Sequence, residues 1–174
     1  MTLGKPIYHP KDGATGTYDI AVLEIVNAKK QLRALGIAPI KLGPSGAEKP
    51  NEGLELVAAG YPVDYAEQEL SLGRSEPLWA LRVSGTVRHV PHEALTQNGF
   101  RGILREGYFA QTTERPLGKG ASGGAVYVTD ERAAVRVIGV LLGSADVQIK
   151  EDGRMIGVTG FFFASSLRIV ETLP

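Results

Sequence analysis

The residues of this chain that are best suited to do chemistry lie in a glycine-rich window, GKGASGG at positions 118–124. Ser122 has a glycine two positions before it and another directly after it, so its hydroxyl is flanked only by small residues. The same spacing allows the backbone N–H groups of Gly120 and Ser122 to converge on one point. Two such donors would stabilise the oxyanion of a tetrahedral acyl intermediate, each lowering the barrier by about 3 kcal/mol. The window therefore predicts a nucleophilic serine beside an oxyanion hole, which a bulky side chain at position 120 would fill.

Two other interpretations of the window stay open at this point. Gly118, Gly120 and Gly123 match the G-x-G-x-x-G pattern of dinucleotide-binding loops, which needs a strand before it and a helix after it. Residues 125–128 (AVYV) are strand-like instead, and residues 113–117 are polar and contain a proline, which argues against a dinucleotide site. A glycine-rich loop between two strands, with no chemical role, explains the glycines about as well as a nucleophile loop does.

A carboxylate also stands in an unusual place. Asp19 opens the apolar run YDIAVLEIV at residues 18–26, which is typical of a strand buried on both faces. A buried, unpaired carboxylate costs several kcal/mol, so we expect Asp19 to have a hydrogen-bonding partner. When the residue is taken alone, the simpler hypothesis that Asp19 caps a turn at the start of the strand is favoured.

The composition of the 174-residue chain narrows the classes of function. Nineteen basic residues balance 19 acidic ones and no basic run occurs, so nothing in the charge predicts binding to nucleic acid or to an anionic membrane. The absence of cysteine excludes disulfides, thiolate chemistry and cysteine-based zinc sites. No apolar stretch is long enough to predict a transmembrane helix, and residues 1–6 lack the apolar core of a signal peptide. We expect neither a metal nor an organic cofactor.

The elements that must position these residues are mostly strands. Six runs rich in β-branched and aromatic residues predict an antiparallel barrel or sandwich, and hence an all-β fold. They span residues 54–59, 78–90, 103–112, 125–129, 135–144 and 155–163. Asp152-Gly153 predicts a type I′ hairpin turn between residues 147–149 and residues 155–156, and the phenylalanines at 161–163 are expected in the core. Residues 27–53 predict a connector, and residues 165–173 predict a short terminal helix.

Four segments, in this order along the chain, resemble the chymotrypsin-like serine proteases. YHPKD at 8–12 with YDIAVL at 18–23 resembles the aspartate strand of that family. VAAGYP at 57–62 is similar to the opening of its second barrel, in the Gly-Tyr-Pro form of the bacterial glutamyl-endopeptidase branch. GASGGAV at 120–126 and VIGVLLGS at 137–144 are similar to the nucleophile loop and to the strand that forms one wall of the primary specificity pocket.

The resemblance implies a role for each matching residue. Ser122 would be the nucleophile, Asp19 the carboxylate that orients a catalytic histidine, and the N–H groups of Gly120 and Ser122 the oxyanion hole. The lining of the specificity pocket would come from Leu141, Leu142, Gly143, Ser144 and Pro116. Pro116 falls near the place where trypsin-like members carry an aspartate that selects basic residues. Because Glu114 is close to that place, the side-chain preference of the pocket stays open.

The catalytic base is the missing part of this pattern. The family places its histidine upstream of the aspartate, and none of His9, His89 and His92 occupies that place. We therefore expect the chain to be the C-terminal part of a longer protease. Alone it would be nearly inactive, with about 10³-fold acceleration over water left from binding and from the oxyanion hole.

The resemblance also implies a division of the chain. The expected parts are the last strand of an incomplete N-terminal barrel (1–30), a connector (31–53), a six-stranded Greek-key barrel (54–163) that is the second barrel of the family's fold, and a C-terminal helix (164–174).

Three functions follow as hypotheses. The first is a serine endopeptidase that hydrolyses polypeptides through an acyl-enzyme, for which the family favours secretion or a periplasmic location. The second is a catalytically inactive relative that binds peptides by strand addition, although the retention of both Asp19 and Ser122 argues against it. The third is a structural β-domain whose glycine-rich loop is only a turn.

Overall fold

The computed structural model describes residues 1–8, 21–40, 50–63, 80–90, 107–129 and 133–165, and the fold is that of these residues. Their elements are β1 (Leu3–Tyr8), β2 (Ala21–Ile25), α1 (Ala28–Ala34), β3 (Glu55–Gly60), β4 (Leu81–Arg88), β5 (Gly107–Gln111), β6 (Ala125–Thr129), β7 (Val135–Glu151) and β8 (Arg154–Ser165). Strands dominate this order, and the predicted all-β class is confirmed.

Strands β3 to β8 close into a six-stranded antiparallel barrel in the order β3-β4-β5-β8-β7-β6, with β6 pairing back onto β3. The predicted six-stranded antiparallel barrel is therefore confirmed. Consecutive strands are neighbours except β5 and β6, which are adjacent in the chain but apart in the barrel. This out-of-order connection, residues 112–124, is characteristic of a Greek key, and it carries the glycine-rich window.

The barrel interior is filled by alternate residues of its strands. In β3 the residues Leu56, Ala58 and Gly60 are buried while those between them are not, as expected of a strand with one face inward. Phe161 and Phe163 of β8 lie in the same core cluster as Leu56. Burying each phenylalanine contributes roughly 1.5–3 kcal/mol, so β8 is a main source of the barrel's stability, and these phenylalanines are core residues as predicted.

The hairpin of β7 and β8 is confirmed and is longer than predicted. The turn residues Asp152 and Gly153 have positive φ angles of 48° and 78°, which a type I′ turn requires. The run predicted over 135–144 and the segment 147–149 predicted before the turn form one continuous strand. Val147 and Ile149 are buried in a second apolar cluster.

The N-terminal residues form a two-stranded sheet that the sequence predicts only in part. Strand β1 pairs antiparallel with β2, but Gly4 and Pro6 interrupt its pattern and conceal it. The prediction that residues 18–26 are buried on both faces is wrong for the described part of that run. Within the described residues β2 pairs with β1 alone, and Leu23 is 49% exposed.

Helix α1 lies in the first part of the predicted connector. Its sequence AKKQLRA has no β-branched residue and consists of good helix formers. Gln31 fastens the helix to the sheet, since its side-chain oxygen accepts the Thr2 N–H at 2.6 Å and its amide donates to the Val26 carbonyl. The connector predicted over 27–53 therefore contains a helix in its first part.

The predicted terminal helix does not begin at Ser165, because this residue is buried at the end of β8. Residues 166–174 lie outside the described residues, and the expected division of the chain stays a prediction. In the described part of the chain, no helix is long and apolar enough to cross a membrane, and no group of His, Cys, Asp or Glu side chains is arranged to hold a metal.

Candidate active site

The pairing register of β3, β6 and β7 brings three separate segments together at the same level of the barrel. Ala59, next to the last residue of β3, pairs with Ala125 at the start of β6, and Ala125 pairs with Val140 in β7. The segment that leaves β3, the loop that enters β6 and the middle of β7 therefore meet. Ser122 lies in that loop, which we call the serine loop (residues 118–124).

Glycines determine the shape of the serine loop. Gly120 and Gly123 have φ angles of 90° and 87°, which residues with a side chain rarely adopt. Gly124 is needed for a different reason, because a Cβ there would collide with the carbonyl oxygen of Ala59. The loop thus packs against the end of β3, while Ser122 stays exposed.

The hydrogen bonds of the serine loop do not use the two N–H groups that the sequence predicts for an oxyanion hole. The N–H groups of Ala121, Gly123 and Gly124 donate to main-chain carbonyls at 3.3, 2.8 and 3.0 Å. Among the described residues, no acceptor is bonded to the N–H of Gly120 or of Ser122. These are the two donors that the sequence predicts for an oxyanion hole.

The Ser122 hydroxyl is directed at β7, where its Oγ donates to the carbonyl oxygen of Leu142 at 2.8 Å. A bulge presents this carbonyl: the register of β7 with β8 shifts between Leu141 and Gly143, and Leu142 has no partner in the ladder. The bulge therefore gives the serine an acceptor from a predicted pocket strand.

A cleft of about 450 Å³ opens beside Ser122, between residues 115–119 and residues 143–146. It brings Ser122 together with the predicted pocket residues Pro116, Leu141, Gly143 and Ser144. The hydroxyl of Ser144 donates to the Leu117 carbonyl at 2.6 Å and ties the two walls to each other. A hydrogen bond thus joins the two walls of the cleft, and Ser122 lies at its edge.

The sequence analysis does not predict three charged residues in the lining of the cleft: Arg115, Lys119 and Asp146. Asp146 accepts a hydrogen bond from the Thr159 hydroxyl at 2.5 Å, across the β7–β8 ladder. It lies beyond the strand end predicted at 144. The alternation that continues to the hairpin turn is the signal that could have placed it in the strand.

Glu114 does not line this cleft. Its N–H donates to the Thr112 hydroxyl at 3.0 Å, and it borders an adjoining cleft of about 520 Å³ that shares Arg115, Pro116 and Asp146 with the first. A larger cleft of about 560 Å³, formed by residues of β3 to β6, has no residue in common with the Ser122 cleft.

The remaining predicted residues are not brought to the serine in the described structure. Asp19, His9 and His92 lie outside the described residues, so the role of Asp19 stays a prediction. His89 follows β4 and is exposed.

No family model and no curated protein matches this chain. Among solved structures, it is similar to the scabies mite inactivated protease paralogue S-I1, with 17% sequence identity and a TM-score of 0.46. The similarity covers 77% of this chain and 50% of the other, so the chain spans about half the length of that protein. A similarity of this size assigns neither family nor activity. The structure itself defines a Greek-key antiparallel β-barrel with an exposed serine loop at one end.

Proposed function

We propose that the chain carries the nucleophile, the oxyanion hole and the specificity pocket of a serine endopeptidase of the chymotrypsin-like kind. The observation that supports this most directly is the serine loop. It combines an exposed hydroxyl at Ser122 with N–H groups at Gly120 and Ser122 that have no acceptor among the described residues, beside a cleft. A turn with only a structural role has no need of all three features together.

In the proposed reaction, Ser122 Oγ attacks the carbonyl carbon of a peptide bond while its proton passes to a histidine that Asp19 orients. The carbonyl oxygen becomes an oxyanion and accepts hydrogen bonds from the N–H groups of Gly120 and Ser122, each worth about 3 kcal/mol. The C–N bond then breaks, the histidine returns the proton to the leaving amine, and water hydrolyses the acyl-serine. The histidine in this proposal is none of His9, His89 and His92.

The side chain before the scissile bond would enter the 450 Å³ cleft between residues 115–119 and residues 143–146. The substrate is accordingly a polypeptide, and no cofactor takes part. Within the proposal, the similarity of Gly60-Tyr61-Pro62 to the glutamyl-endopeptidase branch favours this branch.

One observation favours a second candidate, peptide binding without hydrolysis. The Ser122 proton is already donated to the Leu142 carbonyl, and this hydrogen bond must break before the proton can move to a base. Both candidates use the same cleft. They differ in whether Ser122 forms a covalent bond.

An alkyl fluorophosphonate distinguishes the two candidates. The reagent forms an Oγ–P bond with a nucleophilic serine, the P–F bond breaks and fluoride leaves, and the hydroxyl proton passes to solvent or to a base. Because the chain contains no base in this proposal, the reaction should be slow and should depend on the oxyanion hole. After long incubation at high reagent concentration, we expect mass spectrometry to find a phosphonyl group on Ser122, and none after Ser122→Ala. Ser84→Ala, which removes an exposed hydroxyl on β4, is the matched control and should label like the wild type. Label that persists in Ser122→Ala, or labelling of Ser122 in the wild type that is no faster than labelling of the exposed Ser84, would contradict the nucleophile.

A further inference from the structure

The cleft of about 560 Å³ formed by β3 to β6 lies on the outer surface of the barrel. In β3, Leu56 and Ala58 are buried in the barrel core, so Glu55 and Val57, which alternate with them, face outward. Both outward residues line the cleft, together with the residues of β4, β5 and β6 that lie beside them. The floor of the cleft is therefore the outer face of four neighbouring strands, and no core residue has to move for a ligand to reach it.

The pairing register sets the outward side chains of this floor in two rows. The first row, on β3, β4 and β5, is Glu55, Thr86 and Gln111. The second row, on β6, β3 and β4, is Tyr127, Val57 and Ser84. Paired residues lie about 5 Å apart within a row, and the two rows are about 7 Å apart along the strands. One small molecule can therefore contact both rows at once.

The polar side chains of the two rows have hydrogen-bonding capacity that the described part of the protein does not use. Among the described residues, no hydrogen-bond partner contacts the side chains of Glu55, Ser84, Thr86, Gln111 and Tyr127. Four of these five are hydroxyls or a primary amide, which donate and accept hydrogen bonds alike. A ligand that matches them must itself carry groups that both donate and accept.

The charge of the cleft favours a neutral ligand. Arg88 is the only cationic residue among the described residues that line it, and its Nη2 donates to Glu151 Oε1 at 2.8 Å. An anion would therefore meet a cation that is already paired and the unpaired carboxylate of Glu55. A simple cation would be attracted to Glu55, but it offers no acceptor to the hydroxyl protons of the cleft.

We propose that this cleft binds a neutral oligosaccharide. A sugar ring presents C–H groups on its faces and hydroxyls at its rim, and the cleft is divided in the same way. The aromatic ring of Tyr127 and the methyl groups of Val57 offer apolar surface to a ring face, while the first row offers hydrogen bonds to the rim. The volume of the cleft falls within the roughly 300–1,000 Å³ of small-molecule sites. Because this cleft shares no residue with the one beside Ser122, the proposal does not depend on the proposed function.

An NMR titration of the isotope-labelled chain with neutral trisaccharides tests the proposal. The probes are maltotriose, cellotriose and tri-N-acetylchitotriose, which differ in linkage and in N-acetylation. At least one should shift the amide signals of Glu55, Thr86 and Gln111 saturably, with a Kd of about 1 mM or below. Glu55→Ala, which removes an exposed side chain, should weaken this binding about tenfold. Glu52→Ala is the matched control, since it removes an exposed glutamate just before β3 that does not line the cleft, and it should bind like the wild type.

Two further variants separate the parts of the site. Tyr127→Phe keeps the aromatic ring and should bind within about threefold of the wild type, since one hydrogen bond contributes little. Ser122→Ala should bind the sugar unchanged, because Ser122 lies in the other cleft.

The proposal is overturned if none of the trisaccharides shifts these signals, or if Glu55→Ala and Glu52→Ala bind equally well. Choline and inorganic phosphate serve as the cationic and anionic comparisons. Saturable shifts of the same signals by either ion, with none from the sugars, would show that the cleft takes an ion and would likewise overturn it.

Discussion

At the scale of single residues, Gly120 is constrained both by its own backbone and by its neighbour. Its φ of 90° strains any residue with a Cβ, and a Cβ there would lie 3.0 Å from the Val63 nitrogen in addition to meeting Cγ2. Gly120→Ala should therefore lower the free energy of unfolding by about 1–3 kcal/mol. It should also displace Val63, whose N–H donates to the Lys119 carbonyl oxygen at 2.7 Å, and slow fluorophosphonate labelling about 100-fold.

Gly123→Ala distinguishes backbone strain from contact with Val63 as the cause of slower labelling in Gly120→Ala. Gly123 has nearly the same φ, 87°, but a Cβ there meets nothing within 4 Å. This variant should lose similar stability in a denaturant titration and keep most of its labelling rate. Equal losses of labelling rate in the two variants would show that backbone strain alone, and not contact with Val63, controls the oxyanion hole.

At the scale of elements, the β7–β8 hairpin has one part that forms the site and one that only stabilises it. Gly143, Ser144 and Asp146 line the cleft, whereas Ile149 near the turn is 6% exposed and packs in the second apolar cluster. Ile149→Ala should lower the free energy of unfolding by about 3 kcal/mol. The exposed Gln148→Ala should change it by less than about 0.5 kcal/mol. Neither should alter labelling of Ser122 in the folded protein, and a slower rate in Ile149→Ala would show that the whole hairpin positions the cleft.

The same hairpin shows why patterns of residues predict elements better than they predict the contacts between them. The Asp152-Gly153 turn, the alternation in β3 and the glycines around Ser122 all leave local signals, so the barrel and the serine loop could be predicted. Strand β1 could not be predicted, because Pro6 and Gly4 interrupt the pattern of a strand that pairing with β2 stabilises. The hydrogen bond from Val63 to Lys119 uses main-chain atoms only, and no residue type marks it in the sequence.

At the scale of the whole molecule, the Greek-key order is what assembles the site. Because β6 lies between β3 and β7, the connection from β5 must end beside both of them, and this connection contains the serine loop. The segment after β3 then fixes the Lys119 peptide, while the bulge of β7 receives the Ser122 hydroxyl. The closed barrel therefore brings together an exposed serine hydroxyl, two N–H donors and a cleft, but the described residues place no imidazole beside Ser122.

The proposed function consequently makes a definite prediction for the three histidines of the chain. A base that takes the serine proton contributes about 10²–10⁴-fold to the rate, so its removal would be plain in the labelling reaction. Replacing His9, His89 and His92 by alanine, one at a time, should leave the fluorophosphonate rate within about twofold of the wild type. The wild-type rate should also show no step near pH 6.5, the ordinary pKa of histidine. Suppose instead that the wild-type rate showed a step near pH 6.5, and that one variant lost both this step and about 100-fold of the labelling rate. That histidine would then be the base, which would contradict the proposal that the base is none of these three residues.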